Sequence, residues 1–303
     1  MLDFMKKKKV TVRVPATSAN IGPGFDSFAC ALSLYNTITF ELSGSTLAFE
    51  GCDEAFRNRE NLAYRGYELA MKKMGLSAED GLKITIDADV PVCRGLGSSS
   101  TLIVAGAMAA NELHDKKLSR MEILEVANEI EGHPDNVAAA IAGGLTASML
   151  DDGKPYTVKY RMHEDIHTVV VIPDFELSTA LARGALPQEV PFKDAVFNLS
   201  HAALLLRALE LGDEDMIKVS LKDRLHQDFR KKLIPGYAES EKFALELGAI
   251  AYCISGAGST QLALVKGDAA EFADRLREKI HTVCPGWTVL ALSADNDGVK
   301  VVG

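Results

Sequence analysis

Residues 91–101 read PVCRGLGSSST: a strand end, glycines at 95 and 97, three serines, and the start of a helix built from small apolar residues. Glycine accepts positive φ and lets a backbone approach a ligand. The serines leave N–H groups and hydroxyls at the positive end of a helix dipole. Such a terminus attracts anions, so the loop is a candidate phosphate site, although a glycine turn with a serine N-cap explains the same residues. The stretch does not fit GxxxxGK[ST]. It lacks the third glycine of a dinucleotide fingerprint, and Thr101 stands where a GxSxG elbow needs glycine.

Upstream, LKITIDA at 82–88 reads as a strand, as do residues 10–14 and the Thr-, Tyr- and Phe-rich stretch 28–40. ENLAYRGYELAMKKM at 60–74 places apolar residues at helical spacing and stops at Gly75. Downstream, 98–113 predicts a buried helix, and Ser119 with Glu122 forms a capping box for a helix to about Ile130. A short helix follows Asp135 and ends at Gly143-Gly144. The polar turn DDGKPY, within 150–158, predicts a division into domains 1–156 and 157–303. The second half predicts a strand (166–172), helices (178–184, about 191–211, 213–222, 237–247), then strand, strand, helix, strand. That order suggests an α+β sandwich of the ferredoxin-like kind.

Two further stretches are dense in chemistry. EGHPDN at 131–136 holds Glu131, His133, Asp135 and Asn136; Glu131 suits a hard cation such as Mg²⁺, and Asp135 could take a proton or orient a hydroxyl. A solvated Glu131 and an Asp135 that only caps a helix are the plain alternative. PATSANIGPGFD at 15–26 is longer than a turn needs, which is common in loops that hold ligands. His163 and His167 are four apart but sit at a strand edge, where exposed histidines explain them better than a metal does.

Of the 303 residues, 47% are hydrophobic, enough for a sizeable core, and the formal net charge is −9. So acidic a body is a poor general nucleic-acid or anionic-membrane binder. Five cysteines without a CxxC pair fit a reducing compartment. Lys6 to Lys9 read as a solvated tail before VTVRV, and the longest apolar run, Leu102–Ala110, is too short to cross a bilayer. The expectation is a soluble cytoplasmic protein with no nucleic-acid or membrane partner.

Together these stretches resemble the GHMP kinases, whose nucleotide loop is PxxxGLGSS, and within them the homoserine kinase family. PATSANIGPGFD is similar to that family's N-terminal motif and EGHPDN to its central one. PDFELSTALARGALP at 173–187 and DRLHQDFR at 223–230 resemble its arginine-bearing segments, and ISGAGST at 254–260 its C-terminal glycine motif. Ser100 and Thr101 depart from the usual alanines, Ala29 from a glycine and Ser259 from a proline.

The resemblance implies a two-domain fold, ribosomal-S5-like then ferredoxin-like, and transfer of a phosphoryl group from ATP to L-homoserine with Mg²⁺. It implies ATP contacts from Asn61 and from the loop Pro91, Val92, Cys93, Arg94, Gly95, Leu96, Gly97, Ser98, Ser99, Ser100 and Thr101. Ser99 (or Ser98) and Glu131 would hold the metal, and Asp135, Ser99 and Glu131 would serve catalysis. The acceptor would meet Arg183 and Arg230 through its carboxylate, Asn20 and Asp26 through its ammonium, and His133, Asp135 and Asn136 at its hydroxyl, with Gly256 nearby. The family is often dimeric. A sister kinase for another small alcohol would not need the two arginines, and a catalytically silent relative would be expected to lose Glu131 or Asp135.

Overall fold

The computed structural model describes residues 8–43, 46–78, 81–115 and 118–302. Lys6 and Lys7 of the expected tail lie outside them. Two sheets, of seven and four strands among the described residues, organise the chain. In the first, β1 (Lys9–Ala19) pairs antiparallel with the long β2 (Phe28–Leu42). The far end of β2 then pairs with β4 (Leu82–Ala88), and the short β3 (Ala48–Glu50) adds to β4 in parallel. Alternating burial along β4 follows from LKITIDA, in which every second residue is apolar and faces the core.

Four helices cover one face of this sheet: α1 (Leu62–Lys73), α2 (Ser98–Leu113), α3 (Arg120–Glu131) and α4 (Asp135–Ala142). The α3 capping box forms as its sequence predicts, with Ser119 Oγ accepting from Glu122 N and Glu122 Oε2 accepting from Ser119 N. α1 and α2 pack backbone against backbone: a Cβ on Gly66 would stand 2.2 Å from Ile103 O, and one on Gly106 would stand 2.0 Å from Ala63 O. That contact explains a glycine in the interior of the otherwise apolar α2.

The expected boundary needs correction. β5 (Leu145–Asp151) and β6 (Lys154–Tyr160) form a hairpin that joins the first sheet through β2, so a cut between 156 and 157 would sever β6 within its ladder. Asp152 and Gly153, both at positive φ, make the tight turn between them, so DDGKPY is a hairpin rather than a linker.

The second sheet has the order β10-β7-β9-β8, built from β7 (Ile166–Ile172), β8 (Ala251–Ile254), β9 (Gln261–Lys266) and β10 (Thr288–Leu292), all antiparallel. Between β7 and β8 run α5 (Thr179–Gly184), α6 (Phe192–Leu211), α7 (Glu214–Ser220), α8 (Gln227–Arg230) and α9 (Tyr237–Glu246). α10 (Ala269–His281) links β9 to β10. The strand and helix order agrees with the ferredoxin-like expectation. After β10 the chain returns to the first sheet, where β11 (Lys300–Val301) pairs with β1. A core shared by Ala16, Leu32 and Leu96 with Val170, Leu205 and Leu262 joins the two halves. Among the described residues, no helix is long and apolar enough to cross a membrane.

Candidate active site

A cleft of about 630 Å³ lies where the glycine loop, the 15–26 stretch, α5 and α8 meet. The loop is held on its carbonyl side. Leu177 N donates to Cys93 O, Thr260 N to Arg94 O and Thr17 N to Leu96 O, while Ser255 Oγ donates to Gly95 O at 2.7 Å. Cys93, Gly95 and Gly97 take positive φ. With the carbonyls occupied by protein and the chain repeatedly left-handed, the loop offers its amides to the cleft, the geometry of an anion nest. α2 begins at Gly97 without a side-chain cap, so its first-turn donors add to that surface.

The two glycines of the loop also sit close against protein. A Cβ on Gly97 would stand 2.0 Å from Thr17 Oγ1 and 3.2 Å from Asn136 Oδ1, and one on Gly95 would stand 2.3 Å from Ser255 O. Protein atoms already fill the space a side chain would need at both positions. Gly97→Ala must strain a left-handed residue and displace Thr17, whose hydroxyl donates to Asn136 Oδ1 at 2.7 Å. The expected cost is about 1–3 kcal/mol, seen as a lower urea midpoint. An unmoved midpoint would show that the loop yields freely.

Not every predicted loop residue reaches the cleft. Val92, Cys93, Arg94, Gly95, Gly97, Ser98 and Ser99 line it. Pro91 lies outside that lining, and the side chains of Leu96, Ser100 and Thr101 are fully buried. Thr101 Oγ1 instead accepts from Asn36 Nδ2, and Asn36 Oδ1 accepts from Val90 N, which fixes the strand leading into the loop. Ser99 and Ser100 hydroxyls both donate to Glu131 Oε1, at 2.8 and 3.0 Å. Asn61 lines the cleft, but its side chain caps α1 through Ala63 N and donates to Phe56 O.

At the other end, Asp135 is 1% exposed and lies just behind the lining formed by His133 and Asn136. Its Oδ1 bonds His133 Nδ1 and Asn136 N, both at 2.7 Å, while Oδ2 is buried without a hydrogen-bond partner. Burial depresses the His133 imidazole, but the hydrogen bond and charge of Asp135 outweigh it and hold the ring above its usual value.

Asp26 and Arg183, expected to take an ammonium and a carboxylate, are paired with each other by two hydrogen bonds of 2.7 and 2.9 Å. Arg230 is different. It is 1% exposed, it donates to Gly256 O (3.1 Å) and weakly to Ala182 O (3.5 Å), and among the described residues no carboxylate ion-pairs with it. Burial, then the charge of Arg183, bring its guanidinium down to about 10, which leaves it a cation at neutral pH. Asn20 Nδ2 also donates to Gly256 O, at 2.9 Å, so Gly256 ties both substrate-side stretches together.

Sequence reasoning missed the wall formed by Cys52, Phe56, Leu62, Ile86 and Leu102, an apolar end suited to a flat base. These residues come from separate elements and share no spacing.

A loop of repeated positive φ at a helix start, an apolar slot beside it, a carboxylate behind His133 and Asn136, and a buried guanidinium that ion-pairs with no carboxylate among the described residues meet around one cleft, an arrangement suited to a phosphorylated small molecule. The matches agree: the GHMP kinases N terminal domain matches residues 61–144 and the GHMP kinases C terminal region matches 205–282. The chain belongs to the GHMP kinases. It is 44% identical to the homoserine kinase of Clostridium beijerinckii over 97% of this chain and 98% of that protein. It is 41% identical to that of Clostridium botulinum over 96% of this chain and 98% of the relative. A crystal structure of homoserine kinase from Cytophaga hutchinsonii superposes with a TM-score of 0.88 at 27% identity, covering 98% of both chains.

Proposed function

We propose that this enzyme transfers the γ-phosphoryl group of ATP to the side-chain hydroxyl of L-homoserine, giving O-phospho-L-homoserine and ADP, a step toward threonine. The observation that carries the acceptor is Arg230, a buried guanidinium in the cleft without a carboxylate partner. A buried cation is costly unless an anion meets it, and the carboxylate of an amino acid is a planar match for its fork.

Phosphoryl transfer needs positioning and charge neutralisation more than covalent help. The amides of the 93–99 loop and the α2 terminus receive the phosphates, and the apolar slot receives the base. Asp135 Oδ2, the oxygen without a partner, accepts the hydrogen bond of the acceptor hydroxyl and aligns it. His133 and the Asn136 amide hold the other carboxylate oxygen, so the free one is fixed in direction.

The oxygen donors Ser99 Oγ and Glu131 suit Mg²⁺, which when bound neutralises phosphate charge. Glu131→Gln should therefore move the half-saturating Mg²⁺ concentration upward and cut turnover sharply. An unchanged Mg²⁺ titration would mean that another acid holds the ion. The same reading takes the enzyme to be cytoplasmic, with a homodimer as one oligomeric state open to it. A coupled ADP-release assay across homoserine, mevalonate and galactose tests the acceptor: turnover confined to homoserine is expected, and a preference for mevalonate or galactose overturns it.

A further inference from the structure

Phe25 adjoins Asp26 in the 15–26 stretch but is not part of the cleft wall. Its half-buried ring is nonetheless where three groups meet. The guanidinium carbons of Arg230 and Arg183 lie 5.0 and 5.6 Å from its centroid. The His226 imidazole stacks on it at 5.3 Å, with 29° between the planes.

That imidazole cannot move freely. His226 is fully buried, and its Nε2 donates to Gly22 O at 2.9 Å, which leaves Nδ1 without a proton or a partner. Burial holds the ring below its usual value despite Asp223 nearby, so it stacks as a neutral group. Behind it, Asp223 accepts from His226 N, Gln227 N and Asn198 Nδ2, and so anchors the turn before α8 to α6.

Arg183 and Arg230 repel each other; Asp26 attracts both but is hydrogen-bonded to Arg183. The negative face of an aromatic ring attracts both cations without taking a hydrogen bond from either. Building on the function proposed above, we infer that Phe25, backed by His226, is a positioning residue that keeps both guanidinium groups turned to one end of the cleft. Affinity for a carboxylate-bearing acceptor then depends on a ring that the acceptor does not touch.

Steady-state kinetics on the full chain test this, with homoserine and with 3-aminopropanol, the same acceptor without its carboxylate. Phe25→Leu, which keeps apolar bulk and loses the π face, should raise the KM for homoserine by roughly five- to thirtyfold. Its kcat and KM for ATP should stay near wild type, and Phe25→Tyr should restore the KM. With 3-aminopropanol the penalty should vanish. Equal losses on both acceptors, a fall in kcat alone, or a tyrosine variant as impaired as leucine would each overturn the inference. If Phe25→Leu does not fold by its melting curve, Phe25→Met takes its place under the same criteria. Wild-type enzyme inactive on homoserine would overturn the proposed function itself, whereas active wild type with an unmoved leucine variant overturns only the role of Phe25.

Discussion

Arg230→Leu is expected to raise the KM for homoserine by about ten- to a hundredfold, because each charged hydrogen bond removed costs roughly 1.5–3 kcal/mol. The KM for ATP should barely move, since the phosphates are received by the 93–99 loop and not by α8. Arg230 is buried without a carboxylate partner. Its removal breaks no ion pair among the described residues but withdraws positive charge that attracts Asp26, Asp135 and Asp223, so a modest fall in melting temperature should accompany the KM effect. Arg230→Lys should recover only part of the affinity, because an ammonium cannot reproduce the fork or keep the same bond to Gly256 O. The measurement is a thermodynamic cycle of mutation against carboxylate removal. If the two losses simply add, Arg230 does not meet the carboxylate.

Asp135→Asn is expected to lower kcat by about 10²–10⁴, the range for losing a positioned acid–base group, while the KM for homoserine changes much less. The amide keeps an acceptor for His133 Nδ1 and Asn136 N but replaces the unpartnered Oδ2 with a donor. The Asp135 charge holds His133 and attracts Arg183 and Arg230, so its removal should also lower the melting temperature. A variant with near-normal kcat would reduce Asp135 to a cap on α4 and shift the alignment of the hydroxyl to Asn136 or His133.

Local signals were readable, and contacts between distant segments were not. The limits of α2, the capping box of α3, and the glycine pair after α4 follow from neighbouring residues, and they stand where the sequence put them. The three motif stretches converge on one cleft. The polar turn DDGKPY, with its Gly and Pro, suggests a domain boundary, but Asp152-Gly153 closes the β5–β6 hairpin and the ladder runs on through it. Thr17 under Gly97, Asn36 behind the loop and the Asp26–Arg183 pair could not be read locally, since each depends on residues brought together by the sheets. The burial of Ser100 and Thr101 follows from helical geometry that a motif written as a line of letters does not show.

The pairing of β11 with β1 sets Val12 opposite Val301 and Arg13 opposite Lys300. β1 thus keeps one edge open until β11, made well after it, has emerged. Loop closure over such a separation is slow compared with local helix formation. During translation the nucleotide-binding half is left with an uncovered edge, a natural place for a chaperone to act or for a nascent chain to aggregate. The first sheet is therefore sealed only by a strand that follows the second sheet in the chain.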